Sequence, residues 1–328
     1  MKNVLVTGGT GFLGSNLAIA LLKQGCNVRI LRRPDSDLRA IGSADVEHRL
    51  GDVRDIDSVF GAMKGCDTVF HTAALVSYWP REREKMYEVN IGGTRNVVQA
   101  CLEAGVEKLV HTSSVAAVGF PENSMWADEN NVFNWEPYNV GYRISKNRAE
   151  LEVQKGVQTG LPAVIVNPSI IMGPRDIHFN GGQIVRDVYK KRLFFYLDGG
   201  MNIVHVDDVV RGSLASAKVG RIGERYILCG ENLQIKEVFR ITAETVGGIV
   251  PRVRVPAFFV HGVAGVAESI GNLTNKKPWL TRELVTRAGI RYYFSCAKAQ
   301  QELAYTVTPF RKCVEDAFVW YKANGFLS

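Results

Sequence analysis

The run Thr7-Gly8-Gly9-Thr10-Gly11-Phe12-Leu13-Gly14 restricts this chain more than any other stretch. It follows Met1 to Val6, which reads as a short buried strand. It precedes Ser15 to Gln24, where Leu17, Ala20, Leu21 and Leu22 recur with helical spacing. The glycines therefore occupy a strand-to-helix turn. Gly8 is expected to permit the tight turn, Gly11 to let backbone approach a pyrophosphate, and Gly14 to let helix and strand pack closely. The amides of the first helical turn, around Thr10, Phe12 and Leu13, with the helix dipole, suit the phosphate charge. A dinucleotide is the expected ligand.

The remainder alternates strand and helix patterns. Strands are expected at Asn27 to Leu31, Val46 to Leu50, Thr68 to His71, Lys108 to Thr112 and Ala163 to Val166. Helices are expected at Ile56 to Met63, Met86 to Ala104 and Tyr142 to Gln158. That alternation implies an α/β, Rossmann-type doubly wound parallel sheet. Beyond Pro168, Gly173 and Pro174 the rhythm breaks. Asn202 to Asp208 and Glu224 to Leu228 read as strands, and helices dominate from Ile235. We expect a dinucleotide-binding domain over 1–173, with parts of 202–230 returning to it. A smaller, mostly helical and interleaved substrate lobe is expected over 174–328.

The 328 residues carry a net charge of +7, with short basic clusters at Arg32-Arg33, Lys190-Lys191-Arg192 and Lys276-Lys277. No long basic stripe with interleaved aromatics is present, so a nucleic-acid partner is not expected. The six cysteines are scattered without a CxxC pair, which suits a reducing, cytoplasmic setting. The most apolar later stretch, Ala257 to Val266, is too short to cross a bilayer, which needs roughly 20 residues. It reads as a core helix, a pocket wall, a dimer face or a membrane-surface stripe. No metal is expected, because no His/Asp/Glu group has ligand spacing. A homodimer is the commonest assembly for such a chain.

Tyr142 and Lys146 stand four apart on an expected helix and so share a face. Thr112-Ser113-Ser114 closes a strand aimed at the same end of the sheet. A phenol with pKa about 10 is a poor acid–base group at neutral pH. A nearby ammonium would lower it, and a serine hydroxyl would polarise a carbonyl. His71 and His111, at strand ends, read as hydrogen-bonded core histidines.

With these pieces in order, the chain resembles the extended short-chain dehydrogenase/reductases along essentially its full length. The matching segments are 7–14, 51–55, 71–74, 87–94, 111–114, 142–146, 167–174 and 204–208. The likeness is strongest to the branch of dihydroflavonol reductases and 3β-hydroxysteroid dehydrogenases, whose C-terminal signature residues 293–305 resemble. The resemblance implies Tyr142 as acid/base, Lys146 on the nicotinamide ribose, and Ser114 on the substrate oxygen, with Ser113 as the alternative. It implies Asp52 and Val53 at the adenine, and Thr72, Ala73, Ala74 and Thr112 along the phosphate–ribose path. Pro168, Ile170 and Ile171 would meet the carboxamide. Asn90 would bridge helix and catalytic strand, and His205 to Asp208 would be structural.

The second expected strand ends without the acidic residue that usually binds the ribose of NAD. Arg32 and Arg33 stand there instead, and guanidinium pairs well with phosphate. Ser36 adds a donor. The expected cofactor is NADP(H), with Arg33 matching the phosphate-binding arginine of dihydroflavonol reductases. Sugar-nucleotide enzymes resembling this chain carry an arginine just before Ile203-Val204-His205. Met201 stands there, with Arg287 and Arg291 as other sources of charge. Tyr78, Trp79, Trp135 and Tyr196 are candidate pocket residues. The expected function is NADP(H)-dependent reduction of a small apolar ketone or aldehyde, or oxidation of the alcohol. A nucleotide-sugar epimerase/dehydratase is the alternative. A cofactor-binding sensor is disfavoured, having no need of acid–base groups.

Overall fold

Three residues, Val4-Leu5-Val6, show how the chain builds its core. Val4 and Val6 point to one face of the sheet and Leu5 to the other, and all three are fully buried. A strand buried on both faces belongs in a parallel sheet covered by helices on each side. The computed structural model describes residues 1–121, 125–286 and 289–327.

Seven strands form the main sheet: β1 (Asn3–Thr7), β2 (Asn27–Arg32), β3 (Glu47–Leu50), β4 (Thr68–His71), β5 (Lys108–Thr112), β6 (Ala163–Pro168) and, after three strands that lie elsewhere, β10 (Arg225–Leu228). Their spatial order is β10-β6-β5-β4-β1-β2-β3, parallel throughout. The chain reverses its winding between β1 and β4. Their carboxyl ends thus open the crevice where doubly wound sheets take ligands. β3 is exposed along its length, and its Glu47, His48 and Arg49 guard this edge against further pairing.

Helices α1 (Phe12–Lys23) and α7 (Val206–Val219) pack on one face through Leu17, Leu21, Val209 and Leu214. Helices α2 (Ile56–Met63), α4 (Gly93–Ala104) and α5 (Gly141–Gln158) pack on the other through Met63, Val97 and Val153. A short helix, α3 (Arg83–Tyr87), leads into α4 through one π-helical turn, Glu88–Gly92. The single helix expected over 86–104 is therefore interrupted at Asn90.

The remaining elements form a third cluster. Strand β7 (Ile170–Met172) leaves the main sheet and pairs with β9 (Gly200–His205), which also pairs with β11 (Glu231–Gln234). A two-residue ribbon joins β8 (Phe195–Tyr196) to β12 (Val253–Arg254). Helices α6 (Gln183–Tyr189), α8 (Ile235–Val246) and α11 (Phe310–Ala323) enclose Val185, Val238, Phe310 and Val314. Helix α9 (Ala257–Thr274) lies outside that core, and α10 (Ala297–Leu303) packs through Ala299 and Leu303 onto the main-sheet core.

The strand expected over Asn202 to Asp208 ends at His205. The His205 ring nitrogen accepts from the Asp207 N–H at 3.1 Å, and Asp207 and Asp208 occupy the first turn of α7, where acids suit the helix dipole. Alternating Ile-Val-His-Val concealed that change of element. Buried Asp208 accepts from both the backbone and hydroxyl of Thr308 at 2.7 Å.

Candidate active site

The turn after β1 is built around two close approaches. Gly8 has φ +71°, and a Cβ there would lie 2.8 Å from the Ala73 backbone. A Cβ on Gly14 would meet the Gly8 carbonyl at 2.2 Å and Thr72 Oγ1 at 2.8 Å, so helix, turn and β4 loop touch only through glycine. At Gly11 a Cβ would press on the Gly8 carbonyl oxygen at 3.2 Å, a closer approach than most side chains make. Helix α1 begins there without a side-chain cap and without an acid in its first turn. Its free amides, around Phe12 and Leu13 beside Thr10, offer an anion the bonds that a cap would otherwise make.

The other expected cofactor contacts follow or close strands of the main sheet, apart from Ile170 and Ile171 in the smaller one. Thr72 and Ala73 follow β4, with the Thr72 hydroxyl donating to the Thr7 carbonyl at 2.7 Å, and exposed Ala74 follows them. Arg32 ends β2 and Arg33 follows it. Arg32 Nε donates to the His48 ring at 2.9 Å, and exposed Arg33 lies 3.4 Å from Asp35. The Ser36 N–H donates to the Arg33 carbonyl at 3.2 Å, folding the turn beside these guanidiniums. Asp52 follows β3 and takes a two-point bond from Arg54, which with nearby Arg33 keeps its carboxyl below the usual range. Val53 is buried against Gly93. Pro168 closes β6, and Ile170 and Ile171 stand in β7.

Tyr142 lies in the first turn of α5, with Ser114, just beyond β5, beside its phenol. Burial, with Tyr78 close by, holds the phenol above its ordinary value, while Ser114 and Arg143 pull it down. Lys146 Nζ donates to the Thr112 carbonyl at 2.9 Å, and burial lowers its pKa to about 8 against the charge of Glu150. The sequence led us to expect the ammonium to depress the phenol. In the structure that pull comes from Ser114 and Arg143, because Lys146 is directed at the strand carbonyl. The hydroxyl of Ser113 is buried without a protein partner, as are Asn167 Oδ1 in β6 and Ser169 Oγ just after it. Buried polar atoms are seldom left unpaired, so these suit the polar end of a bound nicotinamide nucleotide.

A chain of hydrogen bonds that sequence reasoning missed ties the glycine turn to the catalytic helix. Thr94 donates to the Asn90 carbonyl at 2.6 Å, so it accepts from His71 Nε2 at 3.0 Å. His71 Nδ1 then accepts from the Thr7 hydroxyl at 2.7 Å. Burial drops the His71 pKa to about 3, with Lys146 adding to the effect, so the ring stays neutral. Asn90 holds the Leu75 backbone through both N–H and carbonyl and donates to Ser145 at 2.9 Å, and Ser145 donates to the Tyr142 carbonyl at 2.8 Å. Asn90 thus bridges the β4 loop to α5, rather than reaching the catalytic strand. The π-helical turn aims it there, and no short motif encodes such a turn. His111 departs from expectation. Its ring is buried 5.2 Å from that of His71, and neither nitrogen has a protein partner.

The expected pocket residues separate. Tyr78 meets Tyr142 edge-on, with ring centroids 5.5 Å apart. Trp79 Nε1 donates to Asn272 of α9 at 3.0 Å. Trp135 is 1% exposed and packs among Phe120, Tyr138 and Tyr292, with the Arg143 guanidinium 3.7 Å from its ring centre. It borders a void of about 10 Å³ and is a core residue, not an open wall. Tyr196 sits half-buried on β8 opposite Arg254. Met201 packs on the third core cluster, and exposed Arg291 lines the void beside Trp135. Arg287 lies outside the described residues.

Comparison with known proteins places these features in a family. Residues 4–229 match the NAD dependent epimerase/dehydratase family. A Synechocystis protein named as a dihydroflavonol 4-reductase is 34% identical, over 98% of this chain and 95% of its own length. Sterol demethylase protein B of Methylococcus capsulatus is 32% identical, over 98% and 99%. Among solved structures, that of gox2253 superposes with a TM-score of 0.87 at 38% identity, covering 100% of both chains.

Proposed function

The chain belongs to the NAD dependent epimerase/dehydratase family of extended short-chain dehydrogenase/reductases, and from that membership we propose that it is an NADP(H)-dependent reductase of an apolar ketone or aldehyde. The observation that carries this reading is the grouping of Tyr142 and Ser114 at the carboxyl ends of the strands, one helical turn from Lys146, whose Nζ donates to the Thr112 carbonyl at 2.9 Å. A bound nicotinamide supplies the hydride. Ser114 donates a hydrogen bond to the substrate oxygen and fixes its position. Tyr142, held neutral by burial, gives its proton to that oxygen as negative charge develops there. Lys146 holds the nicotinamide ribose, and Ser114 and Arg143 favour the phenolate left behind. Arg32 and Arg33 take the 2′-phosphate that distinguishes NADP(H). Tyr78 forms an apolar wall against Tyr142.

The apolar substrate class is supported by Tyr78 and by the packing of Met201 in a hydrophobic cluster. Two relatives carry names belonging to reductase and sterol chemistry. Six free cysteines suit a cytoplasmic enzyme. Purified protein is to be assayed for NADPH consumption on apolar ketones, aldehydes and flavanonols, with UDP- and dTDP-sugars run in parallel. Carbonyl-dependent consumption supports the reading. Sugar isomerisation without net consumption transfers the site to the epimerase alternative, with Arg291 a source of charge for the diphosphate.

A further inference from the structure

Helix α9 turns an apolar face to solvent. Phe259, Val266, Ile270 and Leu273 recur at helical spacing and are 58%, 62%, 55% and 84% exposed. Phe258 and Trp279 extend the patch at its two ends. Between the large side chains, Gly262, Gly265 and Ser269 leave a groove of about 410 Å³. A monomer rarely leaves so long an apolar face uncovered.

The charge around this face indicates what covers it. Residues 250–282 contain five Lys/Arg and one acid. Arg252 and Arg254 precede the helix, and Lys276, Lys277 and Arg282 follow it; Arg254 pairs with Asp198 at 2.6 Å and Lys277 with Glu82 at 2.8 Å, at exposed or half-exposed positions that water and salt screen. The single acid, Glu268, is half-buried and accepts from the Arg282 backbone N–H. The helix has 18 residues, so about 27 Å of apolar surface runs between two groups of cations. A second copy meeting this face about a two-fold axis would bring like charges together. An anionic lipid surface instead takes the aromatic and aliphatic side chains at its acyl boundary and the cations at its headgroups. No helix among the described residues is long and apolar enough to cross a membrane, so the contact is peripheral.

We propose that α9 docks this protein on anionic membranes, lying flat with its Phe259–Leu273 face in the lipid interface. The other side of the same helix holds the loop beside Tyr142 through the Asn272–Trp79 bond. Docking therefore sets the Tyr78–Tyr142 side of the molecule close to the lipid.

The test is co-sedimentation of the purified protein with vesicles of phosphatidylcholine, and of phosphatidylcholine mixed with phosphatidylglycerol, without cofactor or substrate. We expect at least tenfold stronger binding to the mixed vesicles, weakened by salt. The paired substitution Phe259→Ser and Leu273→Ser is expected to reduce that binding at least tenfold with the thermal midpoint unchanged, since both side chains lie outside the core. Lys276→Glu with Lys277→Glu is expected to remove the phosphatidylglycerol dependence. Equally weak pelleting with both vesicle types overturns the proposal. So does a dimer in light scattering that the Phe259 and Leu273 changes dissociate, because a second copy then covers the face. Neither arm needs turnover, so this proposal and the reductase reading fail independently.

Discussion

Glu283 accepts the backbone N–H of Gly141 at 2.8 Å, although 142 residues separate them. Helix α5 has no side-chain cap of its own, so a carboxylate from beyond α9 supplies one immediately before Tyr142. The same carboxylate pairs with Arg83, which also holds Asn139 at the entry to the helix. Glu283→Ala is expected to cost about 2 kcal/mol, read as a lower urea midpoint, by freeing both partners in a poorly exposed site. Glu283→Gln keeps an oxygen for Gly141 and is expected to recover at least half of that loss.

Asn90→Ala removes the amide that satisfies Leu75 and Ser145 together. Leaving those buried groups unpaired is expected to cost about 2–4 kcal/mol in chemical denaturation. Thr94→Val breaks the chain one step earlier and is expected to cost less, because it removes one hydroxyl from a tightly filled site.

Lys146 gives the pH dependence a definite sign. Its pKa falls from 10.5 in an unfolded chain to about 8 here. Below pH 8 both states are protonated and the folded state bears the burial cost. Between about 8 and 10.5 the unfolded state binds the extra proton, so the contribution of this group to stability rises with pH. Comparing urea midpoints of the parent and Lys146→Met across that window tests this, since the variant is expected to lack the rise. Activity moves the other way. Loss of the ammonium predicts an alkaline fall in kcat/KM for NADPH near pH 8, and Lys146→Arg is expected to flatten it in the residual activity.

Most of the sheet was legible because its strands are buried on both faces, and few patterns produce runs such as Val4-Leu5-Val6. Strand β4, helix α2 and strand β5 have the bounds their periodicity predicts. The end of β9 was misread because an alternating run continues into a helix whose start is set by the His205 cap. Tyr142, Lys146 and Ser114 come together because helix spacing and strand direction are local properties. Glu283 was invisible because it depends on contacts between distant segments; Asn90 was expected as a bridge from the resemblance alone, and its partners Leu75 and Ser145 were set by contacts of the same distant kind. Trp135 shows the same limit, since an aromatic residue in a loop gives no sign of whether a neighbouring arginine will bury it.

Arg32 and Arg33 predict cofactor choice. Replacing both by alanine is expected to raise the KM for NADPH by about 10- to 100-fold, the scale of lost charge-assisted bonds. The KM for NADH is expected to change by less than about threefold, since plain ribose has no phosphate to lose. Steady-state titration with each nucleotide measures the contrast.

Tyr142→Phe tests the central claim most directly. The ring stays, the proton is removed, and the contact with Tyr78 remains available. Purified variant and parent are to be compared for NADPH oxidation on an apolar ketone that the parent turns over, with NADPH binding followed by fluorescence. The account predicts a fall in kcat of at least about 100-fold with cofactor affinity within about threefold of the parent. Turnover retained at the parental rate contradicts it.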